Sequence, residues 1–220
     1  MNVEHNIRKY LSACSDGRGV VPTGREASFH YCFNYFQAFH ETRHLNALGS
    51  PQHLETTCLH LGFFLASWGM FRGKGFLPRK SAKFYEPLVQ IISTTDPVLW
   101  EIDAHCYTPP HIRMLLELKA RIVDALGTGN QPSDTLVTKL MLGVFGCVPA
   151  FDTYFKSGLK VSRFDEKALE KVAAFYEQYR SIVDRYRVET LDFKSGQPTQ
   201  RKYSRAKVID MAFFIEGGGK

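Results

Sequence analysis

The run Thr138-Lys139-Leu140-Met141-Leu142-Gly143-Val144-Phe145-Gly146-Cys147-Val148-Pro149-Ala150-Phe151-Asp152-Thr153-Tyr154-Phe155 reads as an apolar helix, a short Gly/Pro break and an acid that opens another helix. The pattern sets one carboxylate at the lip of a hydrophobic core. An Asp there serves as an N-cap, because its oxygen accepts the orphan N–H groups of the first turn. It also serves as a catalytic group, because partial burial and fixed dipoles tune an acid for chemistry. Spacing alone leaves both roles open for Asp152.

Outward from this run the dominant period is helical. Ser28 is expected to cap a segment from Phe29 to Leu48 that stops at Gly49-Ser50-Pro51. Leu54 to Phe71 follows, with Leu61, Phe64, Leu65 and Trp68 on one stripe. Pro109 and Pro110 suit a first helical turn, opening a segment through Leu126 with Met114, Leu115, Leu118 and Ile122 at core spacing. Asp165-Glu166 favour the positive end of a long helix carrying Leu169, Val172, Tyr176, Tyr179, Val183 and Tyr186. The one non-helical stretch runs from about Val188 to Tyr203, where Thr190-Leu191-Asp192-Phe193 and the turn Lys194-Ser195-Gly196-Gln197-Pro198 suit a small hairpin. No strand–helix alternation supports a parallel sheet, so the class expected is all-α. One globular domain of 220 residues is expected, with two helical lobes (about 1–105 and 106–220) around a cleft.

The chain is 44% hydrophobic, enough for a sizeable core, and its formal charge is +6. Charge clusters from Arg72 to Lys83 and from Lys194 to Lys207, each without an intervening acid, suit an anionic partner or simply a solvated surface. Five scattered cysteines (Cys14, Cys32, Cys58, Cys106, Cys147) favour a reducing compartment and show no clustered ligand spacing. No leader-like N-terminus or membrane-length apolar run occurs, so a cytoplasmic protein with no membrane partner is expected.

The stretch Phe145-Gly146, Val148-Pro149-Ala150, Phe151-Asp152-Thr153-Tyr154 resembles a segment of helix-hairpin-helix DNA glycosylases: Phe-Gly, a few residues with Pro, a hydrophobe, then Asp-Thr-His. The resemblance is clearest over about 125–160, with an echo in Arg205–Phe214 and none before residue 100. It implies a two-lobed helical fold in which Asp152 is the catalytic acid. The partner implied is duplex DNA with one base rotated into a cleft. The family's Leu-x-Gly-x-Gly hairpin is replaced by Leu126-Gly127-Thr128-Gly129-Asn130-Gln131-Pro132-Ser133-Asp134, where Gly127 and Gly129 can still offer backbone N–H groups to a phosphate. Asp134 and Thr135 stand where strand-cutting members carry Lys, so hydrolytic base excision by a monomer without cofactor or metal is expected. The expected substrate and DNA contacts are Trp68, Arg72, Lys74, Gly127, Gly129, Lys139, Tyr154 and Lys156. Trp68-Gly69-Met70-Phe71-Arg72-Gly73-Lys74-Gly75-Phe76 combines rings for stacking with cations for the backbone, although Trp68 and Phe71 equally suit a core. Defence glycosylases that remove hypermodified cytosine from phage DNA are one branch the resemblance reaches.

Other classes compete. A non-catalytic helical nucleic-acid-binding module would keep the basic loops and use Asp152 only as a cap. His40-Glu41-Thr42-Arg43-His44 matches H-E-x-x-H, in which two histidines one helical turn apart hold zinc and a Glu activates water; the bland reading is a polar helix end. A helical ribonuclease would need a close Arg and His, and Arg113 near His111 lacks the usual spacing.

Overall fold

The computed structural model describes residues 1–15, 20–73 and 75–219. Helix makes up 64% of the chain, and among the described residues there is one two-stranded sheet, so the class is all-α. In order the helices are α1 (Val3–Ala13), α2 (Ala27–Glu41), α3 (Leu54–Ser67), α4 (Glu86–Ser93), α5 (Pro97–Trp100), α6 (Pro109–Ala125), α7 (Asp134–Phe145), α8 (Thr153–Leu159), α9 (Glu166–Arg185) and α10 (Arg205–Glu216). Strands β1 (Glu189–Leu191) and β2 (Pro198–Lys202) pair antiparallel between α9 and α10.

Two helices are central. Every residue of α7 from Leu136 to Phe145 is buried, as is every residue of α10 from Ala206 to Phe213. A helix covered all round belongs in the middle of a core. α7 packs against α2, α3 and α6, whereas α10 packs against α1, α8 and α9. Residues before and after position 105 therefore interleave around one continuous apolar cluster. The approach of α8 to α10 depends on small residues, since a methyl at Gly158 would meet the Phe213 carbonyl. Among the described residues no helix is long and apolar enough to cross a membrane.

Local chemistry explains most boundaries. Thr108 caps α6 ahead of its two prolines, Ser133 caps α7, Asp165 caps α9 and Ser204 caps α10, each side chain accepting a first-turn N–H. α7 ends where Gly146 takes a left-handed φ of 70° and its N–H reaches back to the Met141 and Leu142 carbonyls. Between α6 and α7, Gly127 (φ 81°) and Gln131 (φ 48°) are both left-handed.

Three expectations need correction. Ser28 does not cap α2: it lies inside the first turn, donating to the Arg25 carbonyl at 2.7 Å. α2 ends at Glu41 rather than Leu48, because Arg43 turns left-handed (φ 58°) and a separate 3-10 turn spans Leu45–Gly49. α3 ends at Ser67, since Gly69 adopts φ 78°.

Candidate active site around Asp152

The loop from α7 to α8 is held at each step. The Phe151 N–H donates to the Thr138 hydroxyl (2.8 Å), and the Thr135 hydroxyl donates to the Phe151 carbonyl (3.0 Å). One residue earlier, the Ala150 N–H donates to the buried Asp210 carboxylate at 3.1 Å. Asp152 follows in extended conformation (φ −79°, ψ −177°), its carboxylate accepting the Phe155 N–H at 2.9 Å. The cap role of Asp152 is therefore realised. Its carboxyl is nevertheless only half-covered, with the Tyr154 N–H also turned to it.

Two ammonium groups and two carboxylates meet here. Burial raises the Asp152 pKa, the like charge of Asp210 adds to it, and the Phe155 N–H and Lys139 oppose. Burial lowers the Lys139 pKa, against the pull of Asp152 and Asp210. The Lys139 ammonium donates to the Trp68 carbonyl at 2.6 Å and lies 5.9 Å from the Trp68 ring. Lys207, 1% exposed, pairs with Asp210 at 2.8 Å inside a box of rings: Trp68 at 4.6 Å, Tyr10 at 5.0 Å and Phe29 at 5.4 Å. A desolvated cation gains from such aromatic faces as well as from its counter-ion. The Trp68 indole N–H is fixed by the Ser28 hydroxyl at 3.0 Å. Beside the cap, the 44%-exposed Tyr154 ring meets Phe214 at 5.0 Å, which in turn meets Tyr10 at 5.7 Å.

Next to this cluster lies a buried polar pair. His30 Nδ1 accepts the Leu191 N–H at 3.0 Å, so the ring proton sits on Nε2 and faces the Tyr203 hydroxyl. Burial and Lys207 push the His30 pKa down to about 3. The imidazole is thus a neutral strut tying α2 to the hairpin.

Of the expected site residues, Lys139 lies between Asp152, whose charge it feels, and Trp68, whose carbonyl it holds, and Tyr154 is in the first turn of α8. Lys139 is interior and already bonded to the Trp68 carbonyl, so it is not placed as a surface phosphate contact. Lys156 sits in α8, half-buried, and Arg72 is exposed in the loop after α3. Lys74 lies outside the described residues. Gly127 sits in the α6–α7 turn with its N–H taken by the Asp124 carbonyl (3.0 Å), and Gly129 is exposed there. Lys207 and Asp210 were not expected at the site. The signal was present: charges three apart in Lys207-Val208-Ile209-Asp210-Met211-Ala212-Phe213 have no polar face to occupy.

The zinc-type pattern does not survive folding. The helix stops between its two histidines, so they do not share a helical face. His40 stacks on Trp100 at 5.3 Å, and Glu41 pairs with Arg201 at 2.5 Å. Among the described residues no group of three or more His, Cys, Asp or Glu side chains is placed to hold a metal ion. A groove of about 1020 Å³ passes here, lined by His40, Glu41, Trp100 and Glu101 among others, and Asp152, Lys139 and Trp68 take no part in it. Comparisons with protein-family models, with curated proteins and with solved structures give no match to this chain.

Proposed function

We propose that this chain is a monofunctional DNA glycosylase that hydrolyses the N-glycosidic bond of a modified or damaged base, with Asp152 as the catalytic carboxylate. The observation that carries the reading is the setting of Asp152: a half-buried carboxylate at a helix N-terminus, pinned through Ala150 and Phe151 and acted on by the charge of Lys139, whose ammonium holds the Trp68 carbonyl. Cleavage of the C1′–N bond leaves positive charge on the sugar, which a fixed, partly desolvated anion stabilises. Water then adds at C1′, its proton passes to the carboxylate or to solvent, and the base departs with the bonding pair and a proton. Trp68 and Tyr154 supply the rings against which a flipped base stacks.

Duplexes carrying single modified bases, hypermodified cytosine included, test the reading. The purified protein should leave sites that break only after alkali. Retention of DNA with no base released from any duplex would favour the binding-module reading, with Asp152 a cap alone. A second reading rests on Lys139, whose amine is held below its ordinary pKa by burial and is thereby a better nucleophile toward the sugar aldehyde. Borohydride trapping of a protein–DNA adduct, lost in Lys139→Gln, would establish that chemistry instead.

A further inference from the structure

The groove of about 1020 Å³ adjoins a smaller cavity of about 280 Å³, and the two share Gln37, Glu41, Trp100 and Glu101 in their walls. Trp100 is 4% exposed, yet its indole N–H has no hydrogen-bond partner; among the described residues only the Tyr85 hydroxyl is buried in the same state. A buried donor without a protein partner calls for an acceptor from a water or a ligand. Gln37 spends its N–H on the Val144 carbonyl (3.0 Å), which leaves its side-chain oxygen as an acceptor in the same shared wall. A donor and an acceptor together suit a hydroxyl group, which both accepts and donates.

The ends of the groove differ in charge. In the smaller cavity Arg201 is paired with Glu41 (2.5 Å) and Arg205 with Asp184 (2.8 Å). Arg187 gives its Nε–H to the Tyr203 carbonyl (2.8 Å), and among the described residues neither Arg187 nor Lys202 has a carboxylate partner. Glu41, Glu101 and Asp103 line the same cavity, so its four Arg and Lys side chains outnumber its carboxylates by one, and the two cations without a carboxylate partner are the ones free to take a dianion. A phosphomonoester carries close to two charges at neutral pH, whereas a backbone phosphodiester carries one. At the other end Ser93 and Thr94 donate to the Gln90 carbonyl (3.0 and 2.8 Å) and Thr95 donates to the Ile91 carbonyl (2.7 Å). Their oxygens remain acceptors, and with Asp96 they form a lining that suits sugar hydroxyls, while Arg43 also lines this end and Glu101 stands in the shared wall.

We propose that this groove binds a small sugar phosphate, free or as part of a mononucleotide, with the phosphate at Arg187 and Lys202 and a hydroxyl at Trp100 and Gln37. The site is separate from Asp152 and stands whether or not the chain excises bases.

The protein has two tryptophans, so its nitrogen-15 spectrum holds two indole N–H signals, assigned by Trp68→Phe. Titration with ribose 5-phosphate should move the Trp100 signal downfield and saturate. Ribose alone, and ribose 5-phosphate with Arg187→Gln/Lys202→Gln, should each bind at least about tenfold more weakly, the signature of lost charge-assisted contacts. Circular dichroism confirms that the double variant is folded. A Trp100 signal unmoved at millimolar ligand would overturn the proposal, as would equal affinity for ribose or an unaffected double variant. A response to a DNA duplex but not to ribose 5-phosphate would also overturn it, reassigning the cations to a nucleic-acid surface.

Discussion

Lys207→Met tests whether the ion pair under the site is a structural necessity. The substitution keeps length and apolar bulk but removes the charge, leaving the Asp210 carboxylate with its side chain only 6% exposed and without its partner. Breaking a buried pair from one side costs about 3–5 kcal/mol. The loss of the ring contacts to Trp68, Tyr10 and Phe29 adds to this, because a thioether gains less from aromatic faces than a desolvated ammonium. For a chain of this length the melting midpoint should fall by roughly 6–20 °C. In Lys207→Met/Asp210→Asn neither charge is stranded, and the side-chain amide oxygen introduced at position 210 can still accept the Ala150 N–H. The double variant should therefore be more stable than the sum of the singles implies, by about 2 kcal/mol or more. Urea titrations of all four proteins measure this, with the midpoint moving and the slope constant. A Lys207→Met protein within about 1 kcal/mol of the parent, or strict additivity, would refute the reasoning.

Two further predictions follow from the site and its surroundings. The unfolded chain binds a proton on His30 below its ordinary pKa of 6.5, while the folded chain refuses it until about pH 3. Stability should therefore fall as pH drops through that window, by about 1.4 kcal/mol per pH unit, and a folded His30→Gln variant should lose this part of the slope. Arg72→Ala/Lys74→Ala should weaken DNA binding and reduce its salt dependence by about one unit of logarithmic slope per lost phosphate contact, leaving the melting temperature alone; an unchanged slope removes this loop from the interface.

The sequence was most legible where one residue sets one piece of geometry. Asp152 and Asp165 open their helices, Pro109 and Pro110 fill a first turn, and the turn at Gly196 closes the only hairpin among the described residues. The end of α2 was not legible because it depends on Arg43 entering the left-handed region, which no residue type there announces. The basic run from Lys194 to Lys207 showed no acid along the chain, yet folding brings Glu41 to Arg201, Asp103 and Asp184 to Arg205, and Asp210 to Lys207. Charge counted along a sequence is silent about partners that arrive from other helices. Lys207 differs: its partner Asp210 stands three residues on in the same helix, just past the end of the counted run, and the pair is buried beside Trp68.

The most direct measurement compares base release by the parent, Asp152→Asn and Asp152→Ala on a duplex from which the parent removes a base. Asn can still accept the Phe155 N–H and cap α8, so the Asn variant should fold and hold DNA like the parent. Its rate of base release should nevertheless fall by roughly a hundredfold or more, because the charge facing the sugar cation is gone. The Ala variant should lose as much rate and, in addition, about 1 kcal/mol of stability. Asn at full rate, with only Ala impaired and only in stability, would show that Asp152 is a cap and nothing more.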